Sequence, residues 1–475
     1  MAGGRGLPCR DEFLDERKAM ADYSDTIAAI ATGGVISAVG ILRLSGKDTI
    51  AVVDKVFRPL NGRPMSQTED RKLMFGSLLD EEGELLDLCL CTVSRAPHSY
   101  TGEDTAELQC HGSPMVLRLG LQSLFAAGAR QALAGEFTKR AFLNGRMDLS
   151  SAEAVADIID AETPMAVRNA AGQLNGAIFR RVQLVYDSLT DVCAHFHAVL
   201  DYPDEDIEPF ELAAYADTLS GAEKDLRALL ETHRRGRVLD RGIPTALVGK
   251  PNAGKSSLLN ALLGYDRAIV TSVPGTTRDT ISERVLLGST LLRLTDTAGL
   301  HDTADEVEKL GVERTREAIE AAELVLAVFD GSRDWDGEDE EVLALCRGKE
   351  CIALVNKSDL PQREVAAHLA ELGRVCAVSA LSGEGLEELS AMVAEAFPLP
   401  SAAVGEILTN ERQAEAVSRA VESVSAALSA LRSGFTPDAV LTEAEAAMAA
   451  LGELTGQNIR EEITNRIFSR FCVGK

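Results

Sequence analysis

Aromatic side chains are scarce in this chain, 4% of its 475 residues with a single tryptophan. No apolar run approaches the roughly 20 residues of a membrane-spanning helix, so the sequence predicts no helical span. Positive charge is also in deficit: 48 Lys and Arg stand against 74 Asp and Glu, a formal net charge of -26. That balance argues against a polyanion-binding surface spread over the whole molecule. Basic residues gather only locally, at His233-Arg234-Arg235-Gly236-Arg237 and at Arg460, Arg466, Arg470 and Lys475. Such clusters are as a rule solvated faces, and an RNA substrate would need a partner protein to supply much of the positive surface. The nine cysteines form no CxxC pair, which excludes a zinc ribbon or a redox dithiol and makes a reducing cytoplasm the simplest home. His195 and His197, two apart on a helix, face different ways, and no metal site is expected there. Residues 1–19 are charged without an apolar stretch, so no signal peptide is read. Residues 1–24 are taken as a flexible leader, with Met20 a possible natural start.

What the chain has is a set of ordered motifs. Gly249-Lys250-Pro251-Asn252-Ala253-Gly254-Lys255-Ser256 lies between the apolar strand Thr245-Ala246-Leu247-Val248 and a helical stretch opening at Ser257. Glycines at that turn let backbone N–H groups and a helix N-terminus converge on phosphate oxygens. Lys255 is expected on the β- and γ-phosphates and Ser256 on Mg²⁺. Asp296 closes a second apolar strand and is expected near the metal, followed by Thr297, Ala298 and Gly299, whose amide can sense the γ-phosphate. After a third strand come Asn356, Lys357, Ser358 and Asp359. A carboxylate at Asp359 can accept from the N1–H and amino group of guanine, a pair that adenine lacks. Ser379, Ala380 and Leu381 would complete the base pocket. In this order, each after a strand, the motifs imply a guanine-nucleotide hydrolase with GTP as substrate.

Length allows about three domains. Residues 25–145 alternate strands and helices, with Gly40 to Leu44 and Thr105 to Cys110 as strands and Ser113-Pro114 opening a helix. Residues 146–239 turn helical. There Ser150 with Glu153 forms an expected capping box and Thr163-Pro164 opens a second helix. Leu174, Ile178, Val182, Val185, Leu189, Val192, Phe196 and Val199 then recur at spacings of three and four. Another helix is read from about Phe210 to Thr232, and after residues 240–398 the helical character returns over 399–475, with Thr409-Asn410 as a cap. The predicted fold class is multidomain α/β and α: an N-terminal α/β domain, a helical bundle domain, and a P-loop GTPase (Ras-like) α/β domain inserted into it at 240–398.

The loop spelled GKPNAGKSS, the run Pro274-Gly275-Thr276-Thr277-Arg278-Asp279 and the ending Phe471-Cys472-Val473-Gly474-Lys475 resemble the tRNA modification GTPase family MnmE, also called TrmE. Tyr100 to Asp104, Gly135 to Arg146 and Leu200 to Glu205 extend the resemblance, which covers nearly everything from Thr26 onward. It implies an N-terminal homodimerising domain that binds 5-formyltetrahydrofolate, with Arg43, Glu107, Arg146 and Lys475 on the folate-contacting positions. It also implies a K⁺ ion held by Asn252, Thr271, Val273 and Thr276 in place of an arginine finger, Thr277 on Mg²⁺, and Ser257, Ser272, Pro274 and Gly275 beside GTP. Leu300, where many GTPases carry glutamine, cannot orient water, and the resemblance nominates Glu308 as the catalytic residue. With the flavoprotein MnmG, as two plus two subunits, such an enzyme modifies carbon 5 of the wobble uridine of certain tRNAs. Cys472 is either a reactive thiol or a docked hydrophobic side chain. Gly33 to Gly40 departs from the family's Gly-Arg-Gly-Gly run. The alternative is a ribosome-assembly or signalling GTPase switch without modification chemistry.

Overall fold

The computed structural model describes residues 25–201, 212–265, 282–296, 316–398, 405–457, 461–469 and 471–475. They divide into two compact units, one drawn from 1–156, 182–207 and 435–475, the other from 157–181 and 208–434. The helical segments expected at 146–239 and 399–475 are therefore shared between the two units.

The first unit holds a seven-stranded sheet of β1 (Ile27–Ile30), β2 (Ser37–Ser45), β3 (Phe57–Pro59), β4 (Met74–Leu79), β5 (Leu85–Ser94), β6 (Thr105–Gly112) and β7 (Arg130–Gln131), in the order β3-β4-β5-β6-β2-β1-β7. Alternation along the strands decides which face is covered. Ala106, Leu108 and Cys110 of β6 are buried together with Leu42, Leu44, Cys89, Cys91 and Val93. Val52, Val53 and Val56 of helix Thr49–Val56 and Leu117 and Leu124 of helix Pro114–Ala126 pack onto them. Each such aliphatic burial contributes about 1.5–3 kcal/mol, and the cysteines serve here as small hydrophobes. The intervening residues Arg43 and Glu107 are only half-buried and pair across the β2–β6 register.

Two local expectations are corrected. Helix Leu149–Asp160 is not capped by Ser150. Asp148 accepts from the Ser151 amide at 3.0 Å and from the Ser151 hydroxyl at 2.6 Å, as well as from the Ser150 hydroxyl. A carboxylate one turn earlier satisfies the orphan amide, which leaves Ser150 buried. The apolar stripe is also interrupted. Leu174 ends helix Pro164–Leu174 and is exposed, the chain turns at Asn175-Gly176, and the buried series begins at Ile178 in helix Ala177–Asp201. Gly176 takes a φ of 77°, which ends the first helix. The Val199 side chain lies outside the described residues. Thr163 and Asn410 cap as expected, through bonds from the amides of Ala166 (3.0 Å) and Arg412 (2.9 Å).

In the second unit β8 (Ile243–Val248), β9 (Ser282–Leu287), β10 (Thr290–Asp296), β11 (Leu324–Asp330), β12 (Cys351–Asn356) and β13 (Val375–Ala377) form a six-stranded sheet, order β13-β12-β11-β8-β10-β9. Only the β9–β10 pair is antiparallel. β11 and β12 are buried throughout, as central parallel strands covered on both faces must be. Leu324, Leu326 and Val328 meet Leu258, Leu262 and Leu389 on one side, whereas Val325, Ala327 and Phe329 meet Ile319 and Leu343 on the other. Helix Leu212–Arg241 runs on past the expected Thr232 and delivers the chain directly into β8. Gly236 sits inside it because a Cβ there would lie 2.0 Å from the Leu408 carbonyl oxygen. Close passage of that strap outweighs the cost, about 1 kcal/mol, of glycine in a helix. Among the described residues no helix is long and apolar enough to cross a membrane.

Candidate functional site

Three loops converge at the carboxyl ends of the parallel strands, the place where open α/β sheets bind ligands. The first joins β8 to helix Lys255–Tyr265. Gly249, Asn252 and Gly254 take positive φ angles of 152°, 63° and 99°. Gly254 has no alternative, since a Cβ would lie 2.1 Å from Asn356 Nδ2. Lys255 Nζ donates to the carbonyls of Gly249 (2.7 Å) and Lys250 (3.0 Å). Ser256 and Ser257 are exposed in the first helical turn.

The second loop follows β12 and locks onto the first. Asn356, 1% exposed, donates from Nδ2 to the Ala253 carbonyl at 2.9 Å and accepts at Oδ1 from the Ala380 amide at 3.1 Å. Lys357 donates to the Asn252 carbonyl at 3.2 Å and to Asp330 Oδ2 at 2.6 Å. Asp359 accepts from the Ser379 hydroxyl at 2.6 Å, and the Ser358 amide donates to the Val378 carbonyl at 3.1 Å. Asn252, Ala253, Asn356, Lys357, Asp359, Ser379 and Ala380 are thus brought together, with Leu381 88% exposed at the outer edge.

Asp330 was not singled out from sequence. It closes β11 and is buried. Burial pushes its carboxyl up, but the bonds from Lys357 and Ser332 outweigh that and hold it below the usual carboxylate range. The available signal was an acid ending a wholly apolar strand, the same pattern as Asp296. Asp296 itself ends β10 in register with Leu247 of β8, while its side chain lies outside the described residues. Also outside them are Thr271, Ser272, Val273, Pro274, Gly275, Thr276, Thr277, Thr297, Ala298, Gly299, Leu300 and Glu308, and the basic residues Arg460 and Arg470.

A second group of expected residues meets in the first unit. Arg43 Nε and Nη2 both reach Glu107 Oε1 at 2.8 Å, and Nη1 donates to the Gly474 carbonyl at 3.1 Å. The tail is held by an isolated antiparallel bridge between Ala134 and Val473, and the Phe137 amide donates to the Lys475 carbonyl at 3.1 Å. Phe471 is the buried anchor, in a cluster with Phe142 and Phe468, whereas Cys472 is exposed. Arg146 lies against Gly102.

Comparison with known proteins matches residues 26–146 to the N-terminus of the GTP-binding protein TrmE and residues 149–472 to the MnmE helical domain. A tRNA modification GTPase MnmE from a Roseiflexus species is 42% identical over 465 residues, 95% of this chain and all of that protein. The chain belongs to the MnmE family. The MnmE of Symbiobacterium thermophilum is 44% identical over 455 residues, 95% of this chain and 99% of its own. Among solved structures, Aquifex aeolicus Era bound to GDP and AlF₄⁻ is 27% identical over 38% of this chain and 65% of that one, with a TM-score of 0.26. The G domain of Thermotoga maritima FeoB is 25% identical over 32% of this chain and 96% of that one, with a TM-score of 0.24. Membership in the MnmE family makes this chain a GTP-hydrolysing enzyme of tRNA modification, with the α/β and helical architecture described above.

Proposed function

We propose that GTP lies over the loop 249–257, that Asp359 reads guanine, and that hydrolysis serves modification of carbon 5 of a wobble uridine in concert with MnmG. The observation that supports this reading is the interlock of the 249–254, 356–359 and 379–381 loops, which presents backbone N–H groups, Lys255 and Asp359 on one edge of the sheet. Glu308 orients the attacking water, since Leu300 has no polar atom to do so. Homodimerisation and a cytoplasmic home belong to the same reading.

The donor sets fit the groups this reading needs. Ser256 offers a hydroxyl at a helix N-terminus, apt with Thr277 for Mg²⁺, and Asn252 is exposed on a left-handed backbone, apt with Thr271, Val273 and Thr276 for K⁺. Arg43 and Lys475 suit folate carboxylates and Glu107 its ring N–H groups, with Arg146 as a further cation. When bound, the two ions supply positive charge against the phosphates and the folate supplies a one-carbon unit. The residues of this chain orient and desolvate them.

The test is a change of base preference. Asp359→Asn should weaken GTP, because an amide cannot accept from both the N1–H and the amino group of guanine, and should favour xanthosine triphosphate, whose carbonyl accepts from the new amide. Unchanged GTP affinity in a nucleotide titration would overturn the guanine assignment. Mass spectrometry of wobble uridines from a deletion strain separates the modification reading from a ribosome-assembly or signalling switch.

A further inference from the structure

The phosphate loop is held at both ends, and only one of its holds belongs to the motifs already discussed. At the Gly254 end Asn356 and Lys357 grip the carbonyls of Ala253 and Asn252. At the Gly249 end the grip comes from Lys250. Its side chain, 8% exposed, turns away from the loop and places Nζ 2.7 Å from Asp336 Oδ2 and 2.7 Å from Asp339 Oδ2. These two acids form a reciprocal capping box on helix Gly337–Cys346. Asp336 Oδ1 accepts from the amides of Glu338 (3.0 Å) and Asp339 (3.2 Å), and Asp339 Oδ2 accepts from the Asp336 amide (3.2 Å). The lysine is therefore fastened to a rigid helix start.

Two physical points favour a positioning role over a stabilising one. A buried ion pair gives little net stability compared with apolar residues of the same volume, because desolvation offsets the attraction. Its value lies in fixing geometry. The fixed geometry here is demanding: three residues between 249 and 254 hold positive φ angles, and the Lys250 carbonyl, on the backbone of the tethered residue, accepts from Lys255 Nζ. Release of the side chain would free a stretch of backbone to which Lys255 donates.

We propose that Lys250 is a positioning residue for nucleotide binding: through Asp336 and Asp339 it holds the front of the phosphate loop in the curvature that receives the phosphates. The inference rests on the placement of GTP over residues 249–257. Trp335, the sole tryptophan, precedes Asp336 and stacks on His368 at 4.7 Å and on Phe329 at 5.5 Å. Its emission reports the state of this junction.

The test uses the full chain and fluorescent methylanthraniloyl-GDP. Lys250→Met should weaken binding on the order of ten-fold, the scale of a lost charge-assisted hydrogen bond. Because that variant strands a buried carboxylate, Lys250→Met with Asp339→Asn is measured beside it. The double variant should recover thermal stability yet bind as weakly as the single one, and lose any change in Trp335 emission on adding GDP. Lys250→Arg, which can still reach both carboxylates, should recover affinity. Recovery of affinity together with stability in the double variant would overturn the proposal, leaving Lys250 a purely structural residue. Wild-type binding by Lys250→Met would overturn it too. Lys255→Ala separates the underlying reading: if it binds normally, the phosphate placement itself fails, whereas its loss beside an unaffected Lys250→Met sinks only the tether.

Discussion

Replacement of Arg140 by methionine tests how the first unit holds its tail. Arg140 has no exposed side-chain surface. Its Nη2 donates to Asp25 Oδ1 at 2.7 Å and Glu136 Oε1 at 2.9 Å, and its Nη1 to the Asp25 carbonyl at 3.0 Å and Glu103 Oε2 at 3.2 Å. The Asp25 side chain is 44% exposed and so contributes little, about 0–1 kcal/mol. Glu136, 2% exposed, is the most deeply buried partner, ahead of Glu103 at 17%. Loss of one member of a buried pair costs about 3–5 kcal/mol, and the lower end is expected because Arg130 still bonds Glu136 at 2.6 and 2.9 Å. Burial pushes the Glu136 carboxyl up, while Arg130, the Leu133 amide and Arg140 pull it below its ordinary value. A depressed folded-state pKa stabilises above the unfolded value and loses that contribution as pH falls through the folded one. Without Arg140 burial counts for more, so the deficit of Arg140→Met should be largest near neutrality and shrink as the pH falls through the depressed folded-state value of the carboxyl. Local opening free energies from hydrogen exchange over residues 133–143 are the assay, because a chain of two units need not unfold in one step. The same residues bond the backbone of Cys472 and Lys475, so tail protection should fall in parallel. A loss under about 1 kcal/mol, or a gap that does not narrow in acid, would refute the reasoning.

Asp330→Asn should raise the dissociation constant for GDP on the order of ten-fold, since a neutral amide replaces the carboxylate that holds Lys357; unchanged affinity would remove Asp330 from the site. Deletion of Cys472 to Lys475, which spares the buried Phe471, should leave GTP hydrolysis largely intact and abolish wobble-uridine modification, and full modification by the truncated chain in a complementation assay would end any role for the tail. Hydrolysis should run faster in potassium than in sodium at equal ionic strength, and Asn252→Ala should lose the difference. Equal rates for the wild type would send the search back to an arginine finger.

The residues themselves determined whatever is local. A phosphate loop, Asn356 to Asp359 and the strands before them are contiguous patterns, and apolar runs ending in an acid or a glycine turn need no knowledge of the rest of the chain. The caps at Thr163 and Asn410 were legible for the same reason. Ser150 misled because Asp148, two residues earlier, is the stronger acceptor, and Leu174 misled because a spacing of four cannot reveal that Gly176 breaks the helix between them. Tertiary structure alone decided the pairings that cross the chain. Lys250 meets Asp336 and Asp339, Arg140 meets Asp25, and Arg43 reaches the Gly474 carbonyl across separations of 86, 89, 115 and 431 residues. Charged side chains at such distances carry no periodicity and no spacing rule. Which acid neutralises which base follows from strand order and helix placement, and these are set by burial of the apolar faces, not by the charges themselves.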